Sequence, residues 1–507
     1  MNVYNLLAFI PFLIIIFFMV FKGYKPAKVM FATYIVTLLM LLLIWQVNIS
    51  VLLASSFKGF FSALEIFLII ISILMLFNLL KENKKLDSIK YFMKSYTDDK
   101  NILIVLVGFF LVSFLEGIAG FGTPAAVAVP ILVFLGISPF IAIVLCLIAD
   151  TACVAFGAFG IPVLFGIQSS VPTANISLVT ASIGIINGII SMCLPFVLIA
   201  IYNYFEHRKM KDFKSYIPFA TFSGFSYGIS YMFASFFLNI EMISVFASIC
   251  GFIATIVYLQ FTNYIKREKN KYAFEFALSF MPYFLLILML ALSRMNFMGF
   301  GSLLKKIALN MSLYKDVISF SFSFYSPGIL ILLTFVIFSL LYSTSLKQYL
   351  TIAKGSFNSS KNALVTLLFT LGFVQMIIYS HMNSLQILGI PHLIGEIFSR
   401  TGVFYIFFAP MIGAFGAFVA GSATVSNLIF GPLQSSISQM SIYPEHLILA
   451  LQTVGGGAGN MVAIHNVIAA CSLVGLNNYE STIIKYNAKI LFFYTLIAGF
   501  IGFLLYI

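Results

Sequence analysis

Charged residues are scarce in this sequence. Only 9% of the 507 residues are Asp, Glu, Lys or Arg, whereas 61% are hydrophobic, and the mean hydropathy is +1.07. A water-soluble protein of this length has no interior large enough to bury so much apolar surface. The composition therefore excludes a soluble globular protein. It predicts an all-α, polytopic membrane protein, because a helix satisfies its own backbone hydrogen bonds inside lipid.

Cysteine and the sequence marks of enzymes are also few or missing. The five cysteines all fall inside apolar segments without metal-ligand spacing, so we interpret them as small buried hydrophobic residues. The chain has no phosphate-loop lysine, no H-E-x-x-H motif and no nucleophile elbow. We therefore expect no cofactor, no enzymatic activity and no ATP-driven pumping by this chain alone.

The charge that is present is mostly positive, with 28 Lys and Arg against 16 Asp and Glu and a formal net charge of +12. The basic residues concentrate in short connections such as Lys81–Lys100 and Glu206–Lys214. This distribution is typical of cytoplasmic loops and not of a nucleic-acid interface. We therefore predict membrane lipid and no nucleic acid as a partner. The same rule puts the N-terminus and the segment Arg294–Pro327 on the outer side.

The apolar runs predict about 12 to 14 membrane crossings within one integral membrane domain, residues 1–507. Glycine and polar residues interrupt them at Glu116–Pro124 (E-G-I-A-G-F-G-T-P), at Gly421–Asn427 (G-S-A-T-V-S-N) and at Thr453–Asn460. Interrupted segments in both halves predict two inverted repeats with broken helices or re-entrant hairpins, which we assign to residues 29–215 and 328–507. The alternative for isolated glycines is close helix packing.

The interrupted segments contain the candidates for binding an anion. We find none of the Lys and Arg residues well inside a predicted span, and Arg294 and Arg400 are the nearest cations. An anion is then held by free N–H groups and the positive dipole at the start of a half-helix. The candidate substrate-binding residues are Gly120, Phe121, Gly122, Thr123, Ser422, Thr424, Ser426, Asn427, Gly455, Gly456, Gly457 and Asn460. The alternative for the hydroxyl groups is a bond to the carbonyl groups of their own helix.

Three ionisable residues in these regions are candidates for proton coupling, namely Glu116, Asp150 and His465. A carboxylate inside lipid is costly unless it has a partner or a proton, so acids at this depth often relay protons. The alternatives are a carboxyl group that is protonated for structural reasons and a histidine that caps a helix. Glu65 lies early in its span, where its side chain can reach the membrane surface.

The sequence resembles the L-lactate permease family. The resemblance rests on Phe114–Val127 and Val154–Val163. It continues in four further segments, namely Phe77–Lys81, Met281–Tyr283, Gly421–Asn427 and Gly455–Met461. It implies a proton-coupled symporter for lactate and related 2-hydroxy monocarboxylates such as glycolate in the cytoplasmic membrane. It also implies kinship with transporters built from inverted repeats with hairpins.

The chain departs from the family pattern at three positions. Asp150 stands where the family run has Asn, Ala423 where it has Asp, and Asn460 where it has Lys. One acid is thus lost from the second half and one is gained in the first. Our hypothesis is that the titrating group has moved across the site, while the loss of the lysine removes a possible partner for the substrate carboxylate.

These observations together predict secondary active transport of lactate or a related 2-hydroxy monocarboxylate with protons across the cytoplasmic membrane. The alternative within the same class is a sodium-coupled carrier of another organic anion. A membrane-embedded enzyme acting on lipids would need a polar cluster near the membrane surface, and the sequence offers none. A channel is a further alternative, which saturation of the transport rate distinguishes from a carrier.

Overall fold

A computed structural model describes most of the chain. The described residues are 3–18, 22, 24–83, 85, 92, 94–95, 97–120, 123–206, 213–262, 273–294, 297–315, 317–398, 402, 404–476 and 479–507. Almost all of them lie in helices, which confirms the predicted all-α membrane class.

The helices of the first half follow one another along the chain with short connections. They are α1 (Val3–Leu7), α2 (Ile10–Ile16), α3 (Pro26–Leu43), α4 (Ile49–Glu82), α5 (Lys100–Ile118), α6 (Thr123–Phe134), α7 (Pro139–Ala152), α8 (Val154–Ser170), α9 (Ile176–Phe205), α10 (Ile217–Phe237) and α11 (Ile243–Phe261). Parts of α5 and α8 are π-helical, and α7 ends in a 3₁₀ turn that begins at Asp150.

The second half adds a small hairpin of strands to its helices. The elements are α12 (Ala273–Arg294), α13 (Phe300–Lys306), β1 (Ala308–Tyr314), β2 (Ile318–Ser323), α14 (Pro327–Leu341), α15 (Leu346–Ile378), α16 (Ile390–Phe398), α17 (Tyr405–Ala420), α18 (Ala423–Gln439), α19 (Glu445–Gly459), α20 (Ile464–Leu473) and α21 (Glu480–Tyr506). The two strands pair antiparallel with Ala308 opposite Ser323. A 3₁₀ turn that begins at Asn460 separates α19 from α20.

Among the described residues, eight helices are long and apolar enough to cross a membrane, or nine if α7 and α8 count as one bent span. Shorter apolar helices of 10–17 residues, such as α14 and α17, accompany them. Proline stands in the first turn of α3, α7 and α14, where its missing N–H costs no helical hydrogen bond. The chain is therefore a multi-pass membrane protein.

Two series of helices share the same order. The short α3 and the 34-residue α4 of the first series match the short α14 and the 33-residue α15 of the second. Each series continues with a pair of helices joined at a glycine, α5–α6 and α17–α18. Next in both series comes a helix that ends in a 3₁₀ turn and a break, α7 in the first and α19 in the second. The long helices α9 and α21 are the last of the two series.

The two series also pack against each other reciprocally. Helix α3 contacts α15, helix α14 contacts α4, and α4 and α15 contact each other. Helix α6 of the first series lies on α20 of the second, while α18 of the second lies on α8 of the first. Each series therefore places its hairpin against the broken helix of the other, as in a two-fold related pair.

In each pair of helices joined at a glycine, the second helix runs back along the first, so the two form a hairpin. Helix α5 ends before Gly120 and helix α17 ends at Gly421, and both glycines have left-handed backbone angles, with φ of +57° and +72°. At the open end of the first hairpin, Lys100 Nζ donates to the Gly136 carbonyl oxygen at 2.6 Å. At the open end of the second, the Tyr405 hydroxyl donates to Gln434 Oε1.

The junction of α7 and α8 bends the chain by 60°. Just beyond it, Ala158, Phe159 and Gly160 all have left-handed backbone angles, with φ of 45°, 58° and 79°. Ala and Phe rarely adopt this conformation, so the surrounding structure must hold these residues in place. Gly160 packs so tightly on Ile240 that an added Cβ would lie 2.5 Å from Ile240 Cγ2.

Candidate functional site

Two acids lie side by side where the hairpin of the first series meets the break between α7 and α8. Glu116 is on the last turn of α5 and Asp150 is the first residue of the 3₁₀ turn that ends α7. The two residues are only 5% and 9% exposed, and their carboxyl groups are close enough to interact. Two ionised carboxyl groups in such contact repel each other, and a proton on one of them removes this repulsion. The pair therefore offers a place for a proton.

Glycines make the space that the Glu116 carboxyl group occupies. A Cβ added to Gly157 would lie 2.3 Å from Glu116 Oε1, and one added to Gly120 would lie 3.4 Å from the same atom. Gly157 itself has ordinary extended angles, so the contact and not the backbone requires a glycine there. The side chain of Glu116 is thereby enclosed by the two interrupted segments of the first series.

The backbone that is freed at this break is bound by side chains from neighbouring helices. The Ala152 carbonyl oxygen accepts from Asn187 Nδ2 at 3.0 Å and from the Tyr231 hydroxyl at 2.9 Å. The Cys153 carbonyl oxygen accepts from Ser244 Oγ at 2.9 Å, and Tyr494 donates to Asn187 Oδ1 at 3.1 Å. Irregular backbone at membrane depth is stable only with such partners.

A buried chain of amide and hydroxyl groups runs through the second series and reaches the first. Asn427 Nδ2 donates to the Pro162 carbonyl oxygen at 2.9 Å and to Thr453 Oγ1 at 3.3 Å. Gln452 Nε2 donates to Ser426 Oγ at 3.1 Å and lies 3.4 Å from Asn427 Oδ1. The chain continues because Gln434 Nε2 donates to Gln452 Oε1 at 2.9 Å. These bonds fix the hairpin α17–α18 on α19 and on α8.

The predicted binding residues of α18 have different surroundings. Ser422 caps the helix by accepting from the Val425 N–H at 3.4 Å, and Ser426 Oγ donates to the Gly413 carbonyl oxygen at 2.8 Å. Thr424 is 5% exposed, and Asn427 is fully buried. Ser426 and Asn427 thus already hold protein partners, whereas no side-chain hydrogen bond of Thr424 is seen among the described residues.

The three consecutive glycines of α19 face three different neighbours. An added Cβ would lie 1.9 Å from the Pro410 carbonyl oxygen at Gly455, 3.5 Å from Asn427 Oδ1 at Gly456, and 2.9 Å from the Thr151 carbonyl oxygen at Gly457. The run therefore contacts both the second hairpin and the break that contains Asp150.

Asn460 begins the 3₁₀ turn that ends α19, as Asp150 begins the turn that ends α7. Its Oδ1 atom is buried without a hydrogen-bond partner among the described residues. Beyond it, Asn487 Nδ2 donates to the Met461 carbonyl oxygen at 2.9 Å, which parallels the bond from Asn187 to Ala152. Asp150 and Asn460, two of the positions that depart from the family pattern, therefore occupy matching places in the two series.

Some predicted residues lie outside the described part of the structure. Phe121, Gly122 and Arg400 are not described, and the side chains of Thr123 and His465 are not described either, although both residues lie in helices. Among the described positions, Gly120 lies against Ala158, and Asn427 lies against Gly166. The two interrupted segments therefore meet different parts of one stretch, residues 157–167.

The structure adds polar residues that the sequence argument missed. Asn187, Gln434 and Gln452 are amides inside otherwise apolar helices, and that signal was available in the sequence. Two basic residues lie in helices that contain predicted spans. Lys58 lies in the part of α4 that precedes the apolar run, and it donates to the Tyr379 hydroxyl at 2.9 Å. Arg294 is the last residue of α12, and its buried side chain pairs with Glu241.

No group of three or more His, Cys, Asp or Glu side chains that could hold a metal ion occurs within the described ranges. The acid pair and the amide and hydroxyl groups around the breaks can bind a proton and form hydrogen bonds. A pair of buried acids beside broken helices is suited to exchanging a proton together with a solute.

Comparison with known proteins connects this arrangement to a family of permeases. The chain is 26% identical to the glycolate permease GlcA of Escherichia coli (strain K12), covering 96% of this chain and 92% of that protein. It is 28% identical to the L-lactate permease of Streptococcus iniae over 85% of this chain and 90% of that protein. It is 27% identical to the L-lactate permease of Escherichia coli (strain K12), covering 98% and 95%.

The family profile described as L-lactate permease covers nearly the whole chain, from residue 4 to residue 507. Its members are transporters and not enzymes. The match runs through both series of helices, both hairpins and both breaks. The protein therefore belongs to the L-lactate permease family.

Proposed function

We propose that the protein is a secondary active transporter that carries lactate, or a related 2-hydroxy monocarboxylate such as glycolate, together with protons across the cytoplasmic membrane. Family membership and relatives named as lactate and glycolate permeases support the substrate class. The observation that supports proton coupling is the contact between the buried carboxyl groups of Glu116 and Asp150.

Coupling follows from the charge of this pair. With both acids ionised, two negative charges in a dry site would repel an incoming carboxylate. A proton on the pair removes one of these charges and offsets the repulsion. The anion and the proton therefore stabilise each other's binding, which is the thermodynamic requirement for symport. In this proposal Glu116 and Asp150 carry the proton, and His465 is a candidate to relay it.

The anion would bind near the starts of α6 and α18, where helix dipoles present their positive ends. In this proposal the backbone at Gly120–Thr123, the Thr424 hydroxyl and Asn460 Oδ1 offer contacts to the substrate. Ser426 and Asn427 have protein partners and would position α18. Gly455, Gly456 and Gly457 would allow α19 to approach both breaks.

We further propose that residues 29–215 and 328–507 are inverted repeats. The shared order of helices and the reciprocal packing of hairpin on broken helix support this proposal. Transport would then consist of rocking one set of elements against the other around the site. The matching places of Asp150 and Asn460 support the hypothesis that the titrating group has moved across the site.

The proposal is tested with the purified full chain in proteoliposomes with radiolabelled L-lactate. An inward proton gradient of one pH unit should drive about tenfold accumulation if one proton accompanies each anion, because one pH unit corresponds to a factor of ten. Accumulation that needs sodium and ignores the proton gradient would identify the sodium-coupled alternative, and an absence of lactate uptake would reject lactate as the substrate.

The Asp150→Asn variant tests the residue assignment in the same assay. The amide keeps the size of the side chain and removes the second carboxyl group, so lactate exchange should persist while proton-driven accumulation disappears. The matched control is Asp99→Asn, because Asp99 caps α5 outside the span and asparagine is an equally good cap. Unchanged proton-driven accumulation in Asp150→Asn would reject the role of this acid.

A further inference from the structure

A cavity that includes polar and charged side chains in its lining lies away from the acid pair. Its volume is about 290 Å³, and it is lined by residues of α4, α8 and the segment around β2, including Glu65, Gln168, Arg294 and Ser326. At about 30 Å³ per water molecule, this space holds roughly ten waters and therefore has room for a three-carbon hydroxy acid. Arg294 and Ser326 belong to the part of the chain that the charge distribution places on the outer side.

The guanidinium group of Arg294 is held rigidly in the wall of this cavity. Its Nε atom is 2.6 Å from Glu241 Oε1, with exposures of only 6% and 7% for the two side chains. Its Nη1 atom donates to the Tyr325 carbonyl oxygen at 3.0 Å, and the Tyr325 ring lies 3.9 Å from the guanidinium carbon. A cation fixed on three sides loses little conformational freedom when it binds an anion.

Arginine has five N–H donors, and these contacts occupy two of them. The others find no partner among the described residues, although the side chain is almost completely buried. Parallel guanidinium N–H groups match the two oxygens of a carboxylate. The unused donors of Arg294 and the cavity that they line thus fit a small carboxylate.

The cavity is separated from the polar network of the second series by one helix. Leu164, Phe165 and Gln168 of α8 line the cavity, whereas Pro162 and Gly166 of the same helix contact Asn427. An anion in the cavity therefore lies one helix diameter from the interrupted segments. It is separated from them by the broken helix, the type of element that moves in such transporters.

We propose that this cavity is a second binding site for a small carboxylate anion, with Arg294 as its ligand, and that it forms the outer vestibule of the transport path. The identity of the anion as the transported substrate rests on the proposed function. Glu241 and Glu65 also face the cavity. Glu241 is paired with Arg294, whereas Glu65 has no cationic partner among the described residues, so Glu65 is the acid that opposes the anion.

The arrangement predicts opposite effects for two variants. Arg294→Gln combined with Glu241→Gln removes the cation without leaving a buried unpaired acid, and it should weaken carboxylate binding roughly tenfold. Glu65→Gln removes the opposing charge and should tighten binding roughly threefold. Lys305→Gln is the matched control, because Lys305 also lies over the Tyr325 ring, at 4.5 Å, but does not line the cavity.

The measurement is equilibrium dialysis of the purified full chain with radiolabelled L-lactate and, separately, with acetate. The wild type should bind two anions per chain, the double variant should lose one of them, and Lys305→Gln should behave as the wild type. A double variant that binds as many anions as the wild type with the same affinity would overturn the inference.

A Glu65→Gln variant without tighter binding would overturn it as well, and this result does not depend on the folding of the double variant. A wild type that binds two anions but accumulates no lactate would reject the proposed function and leave the vestibule in place. The KM for uptake by intact cells should change in the same directions as the binding constants.

Discussion

The acid pair depends on a neighbouring glycine, Gly157. Gly157 leaves room for the Glu116 carboxyl group, and a methyl group there would overlap Glu116 Oε1 at 2.3 Å. The contact with Asp150 therefore requires a glycine on the opposite wall of the site. This relation could not be predicted from the sequence, because Gly157 and Glu116 are forty-one positions apart and meet only through the break.

We predict that Gly157→Ala displaces the Glu116 carboxyl group and lowers the initial rate of lactate uptake at least about tenfold, since misplaced reacting groups are costly. The control is Gly108→Ala, a buried glycine of α5 whose added Cβ would meet Leu132 Cδ1 at 3.5 Å and Ile104 Cγ2 at 3.9 Å, both ordinary contacts. Uptake rates and thermal stability of both purified variants provide the comparison. Wild-type uptake by Gly157→Ala would show that the position of Glu116 does not matter.

Single residues differed in how well the sequence revealed them. Glu116 and Asp150 stood out because an acid in an apolar run is costly without a special role. Asn187 and Tyr231 gave a weaker signal, since amides and tyrosines are common in membrane helices. Their role is visible only once the Ala152 carbonyl oxygen is seen to need partners.

Among the broken helices, too, some features could be predicted from the sequence and others could not. Glycine clusters predicted the interruptions near Gly120 and Gly421, and both glycines do adopt left-handed angles that end a helix. Local preference cannot predict the left-handed angles of Ala158 and Phe159, because those residues disfavour the conformation. The glycines on either side of them, Gly157 and Gly160, pack closely on Glu116 and Ile240, so tertiary contacts flank that turn.

The close contact of α17 with α19 yields a prediction for neighbouring glycines. A Cβ at Gly455 would overlap the Pro410 carbonyl oxygen at 1.9 Å, whereas at Gly456 the nearest atom is Asn427 Oδ1 at 3.5 Å. We expect Gly455→Ala to destabilise the protein by about 1–3 kcal/mol, the usual cost of overpacking. Gly456→Ala should be neutral or slightly stabilising, because alanine favours helix more than glycine does.

Thermal unfolding of the two variants in the same detergent measures this difference. The substitutions are chemically identical and adjacent, so effects of helix propensity and expression cancel in the comparison. Equal melting temperatures for Gly455→Ala and Gly456→Ala would contradict the close approach of α17 and α19.

The two series of helices define the architecture of the whole molecule. Their order matches from α3 to α9 and from α14 to α21, apart from the additional α16. The sequence predicted two repeats because interrupted segments occur in both halves. The reciprocal seating of α6 on α20 and of α18 on α8 could not be predicted, since hydrophobicity patterns contain no information on which helices meet.

Inverted repeats predict that matching positions lie on opposite sides of the membrane. Lys25 immediately precedes α3, and Ser321 in β2 shortly precedes α14; both are exposed. In intact cells a membrane-impermeant maleimide should label Ser321→Cys and not Lys25→Cys, and inside-out vesicles should give the reverse. Unsubstituted protein provides the background from the native cysteines. Labelling of both variants from one side would reject the inversion.

The seating of α6 on α20 has a consequence for how the protein is made. More than three hundred residues separate Phe134 from Ile464, so at roughly 5–20 residues per second the ribosome needs roughly 15 to 70 seconds to deliver the docking partner. Throughout that interval the face of α6 that packs on α20 lacks its partner. Nascent chains that stall before Ile464 therefore expose this face, and membrane quality-control proteases can recognise them by it.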